Sequence, residues 1–117
     1  MSLMVAICVG MGGALGAIVR ALIGRWIRSG FPLATLCVNI TGSFIIAAAY
    51  AGLPLDSVLA RAFIGAGFCG ALTTFSTFIL DMVILARSGQ WKPALAYLAG
   101  TLVLCCLASW SGFYLMS

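Results

Sequence analysis

The chain has 117 residues, of which 64% are hydrophobic and only 7% are charged, and its formal net charge is +4. Soluble domains carry about 25% charged residues, and the mean hydropathy of +1.23 also excludes a soluble protein. The scattered positive charge is more typical of a protein whose membrane topology it sets than of a nucleic-acid binder. We therefore expect residues 1–117 to form a single transmembrane domain.

Charged residues divide the chain into four uncharged runs, at 1–19, 29–55, 62–80 and 93–117. Each run is long enough to cross a hydrocarbon core about 30 Å thick as a helix, and the third is expected to continue past Asp81 to about Arg87. Turn-forming glycine and proline residues lie near 30–32, 52–56 and 87–93. The sequence predicts an all-α integral membrane protein with four transmembrane helices.

In the first run, Gly12, Gly16 and Arg20 are four residues apart and share one helix face. The two glycines form a G-x-x-x-G pair, which favours close packing against another helix. Arg20 has two interpretations. It is either an end-of-helix arginine that extends to the interface, or a cation that raises the local anion concentration at a pore mouth.

In the second run, Thr35, Asn39 and Ser43 are also four residues apart and form a polar stripe. An asparagine at membrane depth is costly unless its amide is satisfied. Its carboxamide either makes an interhelical hydrogen bond or offers an N–H donor to a path filled with water or ions.

The third run holds the most informative segment, GFCGALTTFSTF at residues 67–78. Glycines followed by hydroxyl residues indicate a helix broken in mid-membrane, with backbone groups exposed to ions. Phe75 and Phe78 share a face if the helix resumes after Gly70, and Thr74 and Thr77 form a second stripe. The two rings either pack in a core or turn their positive edges towards an anion.

The fourth run repeats a polar residue every fourth position, at Tyr97, Thr101, Cys105 and Ser109. The five cysteines are odd in number and lie in apolar runs without metal-ligand spacing, which favours small buried hydrophobic residues over disulfides.

The polar groups within the four runs are mostly neutral donors. The chain has no glutamate, and Asp81 is the only carboxylate that can reach membrane depth. Proton-coupled carriers usually need a titrating acid there, so the donors favour a passive path for a small, strongly hydrogen-bonding anion. Because the chain also lacks histidine, no nucleophile–base pair can be assembled, and we do not expect an enzyme.

Three segments resemble the small bacterial fluoride channels called CrcB or Fluc: GGALGAIVR at 12–20, TLCVNITGSF at 35–44 and the segment at 67–78. The resemblance implies a fluoride-selective channel in the bacterial inner (plasma) membrane, through which the toxic anion leaves the cytoplasm. It implies an antiparallel, dual-topology dimer with two fluoride pores, and a third helix broken near Gly70 to Thr73.

The resemblance also assigns roles to residues. It implies a structural Na⁺ held by the backbone carbonyls of Gly70 and Thr73 of both subunits, and Arg20 as a vestibule arginine. Together with the polar stripes, it gives the expected pore lining: Asn39, Ser43, Thr74, Phe75, Phe78, Tyr97 and Thr101. The chain departs from the family pattern at Ala21, Ala34 and Asp81, where the family commonly has an aromatic residue, a glycine and a glutamate.

The loop charges bear on assembly. Four cations fall on one side of the membrane and one on the other, a positive-inside bias that places both termini outside: Arg25, Arg28, Arg87 and Lys92 against Arg61. We favour a dual-topology homodimer over a heterodimer with an oppositely oriented homologue. Two other functions are considered, a small dual-topology multidrug exporter and a non-transporting accessory subunit. The first needs a glutamate in the first span, which this chain lacks, and the second leaves the clustered hydroxyls unexplained.

Overall fold

A computed structural model describes residues 2–28 and 30–117, and within them the chain is helical without strands. Met1 and Ser29, where two of the predicted runs begin, lie outside the described residues. We refer to Val58–Arg87 as the third span; it contains four helical segments. The segments in chain order are α1 (Leu3–Trp26), α2 (Leu33–Gly52), α3 (Val58–Arg61), a π-helix (Ala62–Cys69), α4 (Gly70–Leu72), α5 (Ser76–Arg87) and α6 (Trp91–Met116).

Among the described residues, four helices are long and apolar enough to cross a membrane: α1, α2, the third span and α6. Their most apolar 18-residue windows have mean hydropathies of 1.7 to 1.9, and the molecule is 49 Å long. That length exceeds the roughly 40–45 Å of a bilayer with its headgroups. The prediction of an all-α protein with four membrane-spanning helices is therefore confirmed.

The predicted end of the first span was too early. The run was cut at Arg20, but α1 continues to Trp26 and includes both Arg20 and Arg25, whose side chains are exposed. A long arginine side chain can lie along a helix surface with its charged end in a polar environment, so it does not end a helix as a proline does. Charge spacing therefore gave the number of helices better than their bounds.

The helices run alternately up and down. The ends of α2 and α6 meet, since Gly52 packs against Met116, and α1 runs parallel to the first half of the third span. We call the end that holds Leu3, Gly52 and Met116 the termini end. We call the opposite end, which holds residues 27, 28, 30–32 and 88–90 outside the helices, the two-loop end.

Glycines bring α1 against the π-helix almost backbone to backbone. A Cβ added at Gly12 would clash with the Phe63 carbonyl, and one at Gly16 with the Phe68 carbonyl. From the other side, a Cβ on Gly67 would lie 2.8 Å from the carbonyl oxygen of Val9. The prediction that Gly12 and Gly16 serve close helix packing is confirmed.

At the two-loop end an aromatic cluster fills the space between α5 and α6. Phe78 and Tyr97 are buried with their ring centroids 5.0 Å apart, and Phe31 meets Tyr97 edge-on at 5.5 Å. Leu85 and Ala94 are the other buried members of the cluster. This core anchors the second half of the third span against α6.

The helical backbone of the third span is interrupted between Leu72 and Ser76. Thr73 adopts an extended conformation, with φ −79° and ψ 155°, whereas Phe75 already has helical dihedral angles. Regular helix therefore resumes at Ser76. The expected shared face of Phe75 and Phe78 assumed that the helix resumes directly after Gly70, so the helix resumes later than was assumed.

Candidate functional site

An open cavity of about 540 Å³ lies between α2, the third span and α6. It runs from the interruption at Thr73 towards the termini end, where Ile46, Tyr50 and Gly65 line it. Eight of the residues predicted as pore or metal contacts share this one cavity: Asn39, Ser43, Gly70, Thr73, Thr74, Phe75, Phe78 and Thr101. No charged side chain is among the described residues that line it.

Asn39 joins α2 to the interrupted segment through two hydrogen bonds with one residue. Its Nδ2 donates to the carbonyl oxygen of Thr74 at 3.1 Å, and the Thr74 backbone N–H donates to Asn39 Oδ1 at 2.8 Å. Outside a helix, both Thr74 backbone groups need partners, and the carboxamide supplies one donor and one acceptor. The interhelical hydrogen bond considered for Asn39 is therefore present, and the second Nδ2 hydrogen remains available on a residue that lines the cavity.

The hydroxyl groups of the interrupted segment bind backbone close to it. Thr73 Oγ1 donates to the Cys69 carbonyl at 2.8 Å, and the Thr77 N–H donates to Thr74 Oγ1 at 3.2 Å. Thr74 thus caps the first turn of α5. Within the described chain, no hydrogen bond reaches the carbonyl oxygens of Gly70 or Thr73, because the residues that would donate in a continuous helix bond elsewhere.

Phe75 and Phe78 both line the cavity but differ sharply in packing. Phe78 is 5% exposed and belongs to the aromatic cluster, whereas Phe75 is 74% exposed. Their centroids are 6.0 Å apart and their ring planes are inclined by 46°. Phe78 therefore has a packing role of its own, while Phe75 gains little from burial within this chain.

On α6, the two predicted pore residues have different surroundings. Thr101 lines the cavity, is 7% exposed, and its Oγ1 is buried without a hydrogen-bond partner in the described chain. Tyr97 is 1% exposed, and its hydroxyl donates to Asp81 Oδ2 at 3.1 Å instead of facing this cavity. The structure thus brings Thr101, but not Tyr97, to the cavity wall.

Arg20 lies at a separate, smaller cavity of about 340 Å³. Thr35, Thr74 and Thr77 share that cavity, so Thr74 lies on the walls of both. The Arg20 side chain is exposed in the described chain, and it lines the smaller cavity but not the large one.

The sequence is similar to a known protein family and to several of its members. Residues 7–113 match the family described as CrcB-like protein, Camphor Resistance (CrcB). The chain belongs to this family. It is 40% identical over 119 residues to the fluoride-specific ion channel FluC 2 of Rhodococcus jostii, covering 97% of this chain and all of that protein. It is 42% identical over 120 residues to the fluoride-specific ion channel FluC of Rhizobium meliloti, covering 92% of each.

Two features of this CrcB-like chain were not found from the sequence. Asp81, whose role had no prediction, accepts the Tyr97 hydroxyl, and Tyr50 lines the large cavity although it was not singled out. A tyrosine near a predicted span end is typical of an interfacial position, so composition gave no sign of a cavity contact.

The exposure of the cysteines differs from the expectation that all five are buried. All five are free, but only Cys69 is buried in the described chain, and Cys37 and Cys106 are exposed. Cys69, Cys105 and Cys106 all line the large cavity. The interpretation of all five as buried hydrophobic residues was therefore wrong for the single chain, because an apolar run in a membrane helix includes its outward face.

Proposed function

We propose that the chain is a subunit of a fluoride-specific ion channel in the bacterial cell membrane, which it spans several times. As a channel and not an enzyme, it lets fluoride leave the cytoplasm passively and so lowers its toxicity. The observation that carries the proposal is the large cavity, whose described polar lining groups are all uncharged. Family membership and the relatives named fluoride-specific ion channels support the same function.

The chemistry of fluoride accounts for neutral donors. A small anion is strongly hydrated, and it enters a filter only where protein groups replace the lost water. Asn39 and Thr101 both line the cavity, and each has a donor without a partner in the described chain: the second Nδ2 hydrogen of Asn39 and the buried hydroxyl of Thr101. A fixed cation there would bind the anion more tightly, whereas conduction requires that the ion also leave.

Phe75 and Phe78 supply the second kind of contact. An aromatic ring has a positive edge, which attracts an anion without a full charge. Ser43 and Thr74 add polar contacts along the same wall, and we keep Tyr97 in the proposal as a neighbour of Phe78. Arg20 raises the local anion concentration in the vestibule formed by the smaller cavity.

We further propose that two subunits assemble with opposite orientations. The large cavity is open, and Phe75 on its wall is 74% exposed in the single chain, so a second subunit is suited to close it. We favour a dual-topology homodimer over a heterodimer with an oppositely oriented homologue. Tags on the termini test this: in a homodimer they are labelled from both sides of the membrane, and labelling from one side alone contradicts it.

The interruption at Thr73 is proposed to lie in mid-membrane and to hold a structural Na⁺ at the dimer centre. The carbonyl oxygens of Gly70 and Thr73 fit this group, since both residues line the cavity and neither oxygen has a donor in the described chain. The Thr73 hydroxyl already donates to the Cys69 carbonyl oxygen, so the proposed ligand from Thr73 is its backbone carbonyl oxygen. A bound cation would satisfy these oxygens and add positive potential near the path of the anion.

A stability measurement tests the Na⁺ site independently of conduction. If the folded dimer binds Na⁺, its unfolding temperature rises with Na⁺ concentration at constant ionic strength. At a Na⁺ concentration of a hundred times the dissociation constant, binding adds about 2.7 kcal/mol to the free energy of unfolding. Replacement of Na⁺ by choline should reverse the rise. Equal stability in the two salts contradicts the site.

The function itself is tested by fluoride efflux from liposomes that contain the purified protein, measured with a fluoride electrode. We expect fast passive fluoride flux, little chloride flux, and a sharp reduction by Asn39→Asp or Phe78→Ile. A protein that passes no fluoride, or passes chloride equally well, contradicts the proposal.

A further inference from the structure

Arg61, at the termini end of the third span, makes two contacts with a single tyrosine. Its Nη2 donates to the Tyr50 carbonyl oxygen at 2.8 Å, and its Cζ lies 4.8 Å from the centroid of the Tyr50 ring. The carbonyl belongs to the last turn of α2, where helix carbonyls lack intrahelical donors and a cation is favourable. Arg61 thereby fixes both the end of α2 and the ring of Tyr50.

The guanidinium is not fully used by these contacts. Arg61 Nε is buried and has no hydrogen-bond partner in the described chain. A buried N–H without an acceptor costs free energy, so its retention in a native protein calls for an explanation. Since no described carboxylate is paired with Arg61, its positive charge is not neutralised by another side chain.

Tyr50 connects this charge to the ion path. It lines the large cavity together with Gly65, and a Cβ on Gly65 would lie 2.6 Å from the Tyr50 hydroxyl oxygen. Tyr50 follows Asn39 by about three helical turns, roughly 16 Å along α2. Arg61 is also the only described cationic side chain at the termini end, since the other five belong to the second half of α1, to the two-loop end or to residues beside it.

We propose that Arg61 and Tyr50 form an anion-receiving site at the termini-end mouth of the cavity. The unneutralised guanidinium concentrates a small monovalent anion there by its charge, and the hydroxyl of Tyr50, a residue that lines the cavity, is the donor that receives it. The site rests on the proposed function, and its anion is fluoride on its way to or from Asn39. It gives the termini end a counterpart to Arg20.

The test compares fluoride flux at two ionic strengths in the same protein preparation. The Debye length falls from about 30 Å at 0.01 M to about 3 Å at 1 M, so salt removes attraction by a charge but does not restore a misfolded helix end. At low ionic strength we expect Arg61→Gln to raise the half-saturating fluoride concentration roughly two- to five-fold, with an unchanged maximal flux. At high ionic strength, set with a salt that does not permeate, the difference should vanish.

Two further variants control for charge and fold. Arg61→Lys keeps the charge and should stay closer to wild type than Arg61→Gln at low ionic strength. Arg87→Gln removes an exposed arginine at the opposite, two-loop end and should leave the half-saturating concentration unchanged.

Three outcomes overturn the site: an unchanged half-saturating concentration in Arg61→Gln, a loss that persists at high ionic strength, or a lysine variant as impaired as the glutamine variant. In each case wild-type flux stays intact and the proposed function stands. Absence of fluoride flux in the wild type contradicts the proposed function itself.

Discussion

The two sides of the third span differ in how they are packed. Towards α1 the π-helix is closed, with Gly67 so near that a Cβ would lie 2.8 Å from the Val9 carbonyl oxygen. Towards α2 and α6 the same span opens into a cavity of about 540 Å³, lined by Cys69, Thr73 and Thr74. One segment thus combines a rigid backbone-to-backbone contact with a surface that keeps polar groups accessible.

The closed side and the open side of the third span depend on each other. Polar backbone at membrane depth is tolerated only where protein or a cavity satisfies it. The glycine contact fixes the segment before the interruption, and Asn39 fixes Thr74 within it. We infer that the closed side keeps the open side in position, and four sets of substitutions test this difference between the two sides.

The largest effect is expected from filling the closed side. Gly16→Val would drive a side chain into the Phe68 carbonyl, which is backbone and cannot move without shifting the π-helix. We expect a loss of about 3 kcal/mol or more in the free energy of unfolding, measured by thermal unfolding in detergent. Gly10→Val is the matched control in the same helix, because a Cβ at Gly10 meets nothing within 4 Å. Equal losses in the two variants would contradict the close contact.

The second effect concerns the bond between the two sides. Asn39→Ala removes the donor and the acceptor that hold Thr74, whereas Asn39→Asp keeps only acceptor oxygens. We expect fluoride flux to fall at least about tenfold in both, and the Thr74 amide to exchange its hydrogen faster in the alanine variant. Ser109→Ala, which removes a 3.3 Å bond to the Ser43 carbonyl, serves as the control. Lost flux with unchanged exchange at Thr74 would limit Asn39 to contact with the ion.

The residue types alone predicted much of the open side, with its polar cavity, and of the closed side, with its glycine contact. Polar residues at membrane depth are costly, so Asn39, Thr74 and Thr101 stood out, and the structure brings them to one cavity. The spacing Gly12-x-x-x-Gly16 likewise predicted a close helix contact.

Other features could not be predicted because they depend on tertiary geometry. The π-helix at Ala62–Cys69 has no composition distinct from an α-helix, and only the backbone of α1 facing its glycines reveals why it fits. Tyr97 shares a four-residue spacing with Thr101, yet its longer side chain reaches Asp81 and packs on Phe78. Spacing identifies a face of a helix but does not determine where a long side chain ends.

The third effect separates packing from ion contact on the open side. Phe78 is 5% exposed and packs against Tyr97, whereas Phe75 is 74% exposed. We expect Phe78→Ile to lower both flux and stability, the latter by about 1–2 kcal/mol, and Phe75→Ile to lower flux with a smaller change in stability. Flux and thermal unfolding measured on the same samples distinguish the two. If Phe75→Ile leaves flux unchanged, its ring edge is not an ion contact.

The smallest effect tests whether an unsatisfied group is retained for conduction. Thr101 Oγ1 is buried without a partner in the described chain, so Thr101→Val removes an unfavourable hydroxyl while nearly preserving the volume of the side chain. We expect stability to stay constant or to rise by up to about 1 kcal/mol, while fluoride flux falls roughly two- to five-fold. Thr101→Ser retains the hydroxyl and should retain the flux. A valine variant with wild-type flux would show that this hydroxyl does not contact the ion, and Thr101 would then not be the donor that α6 contributes to the cavity.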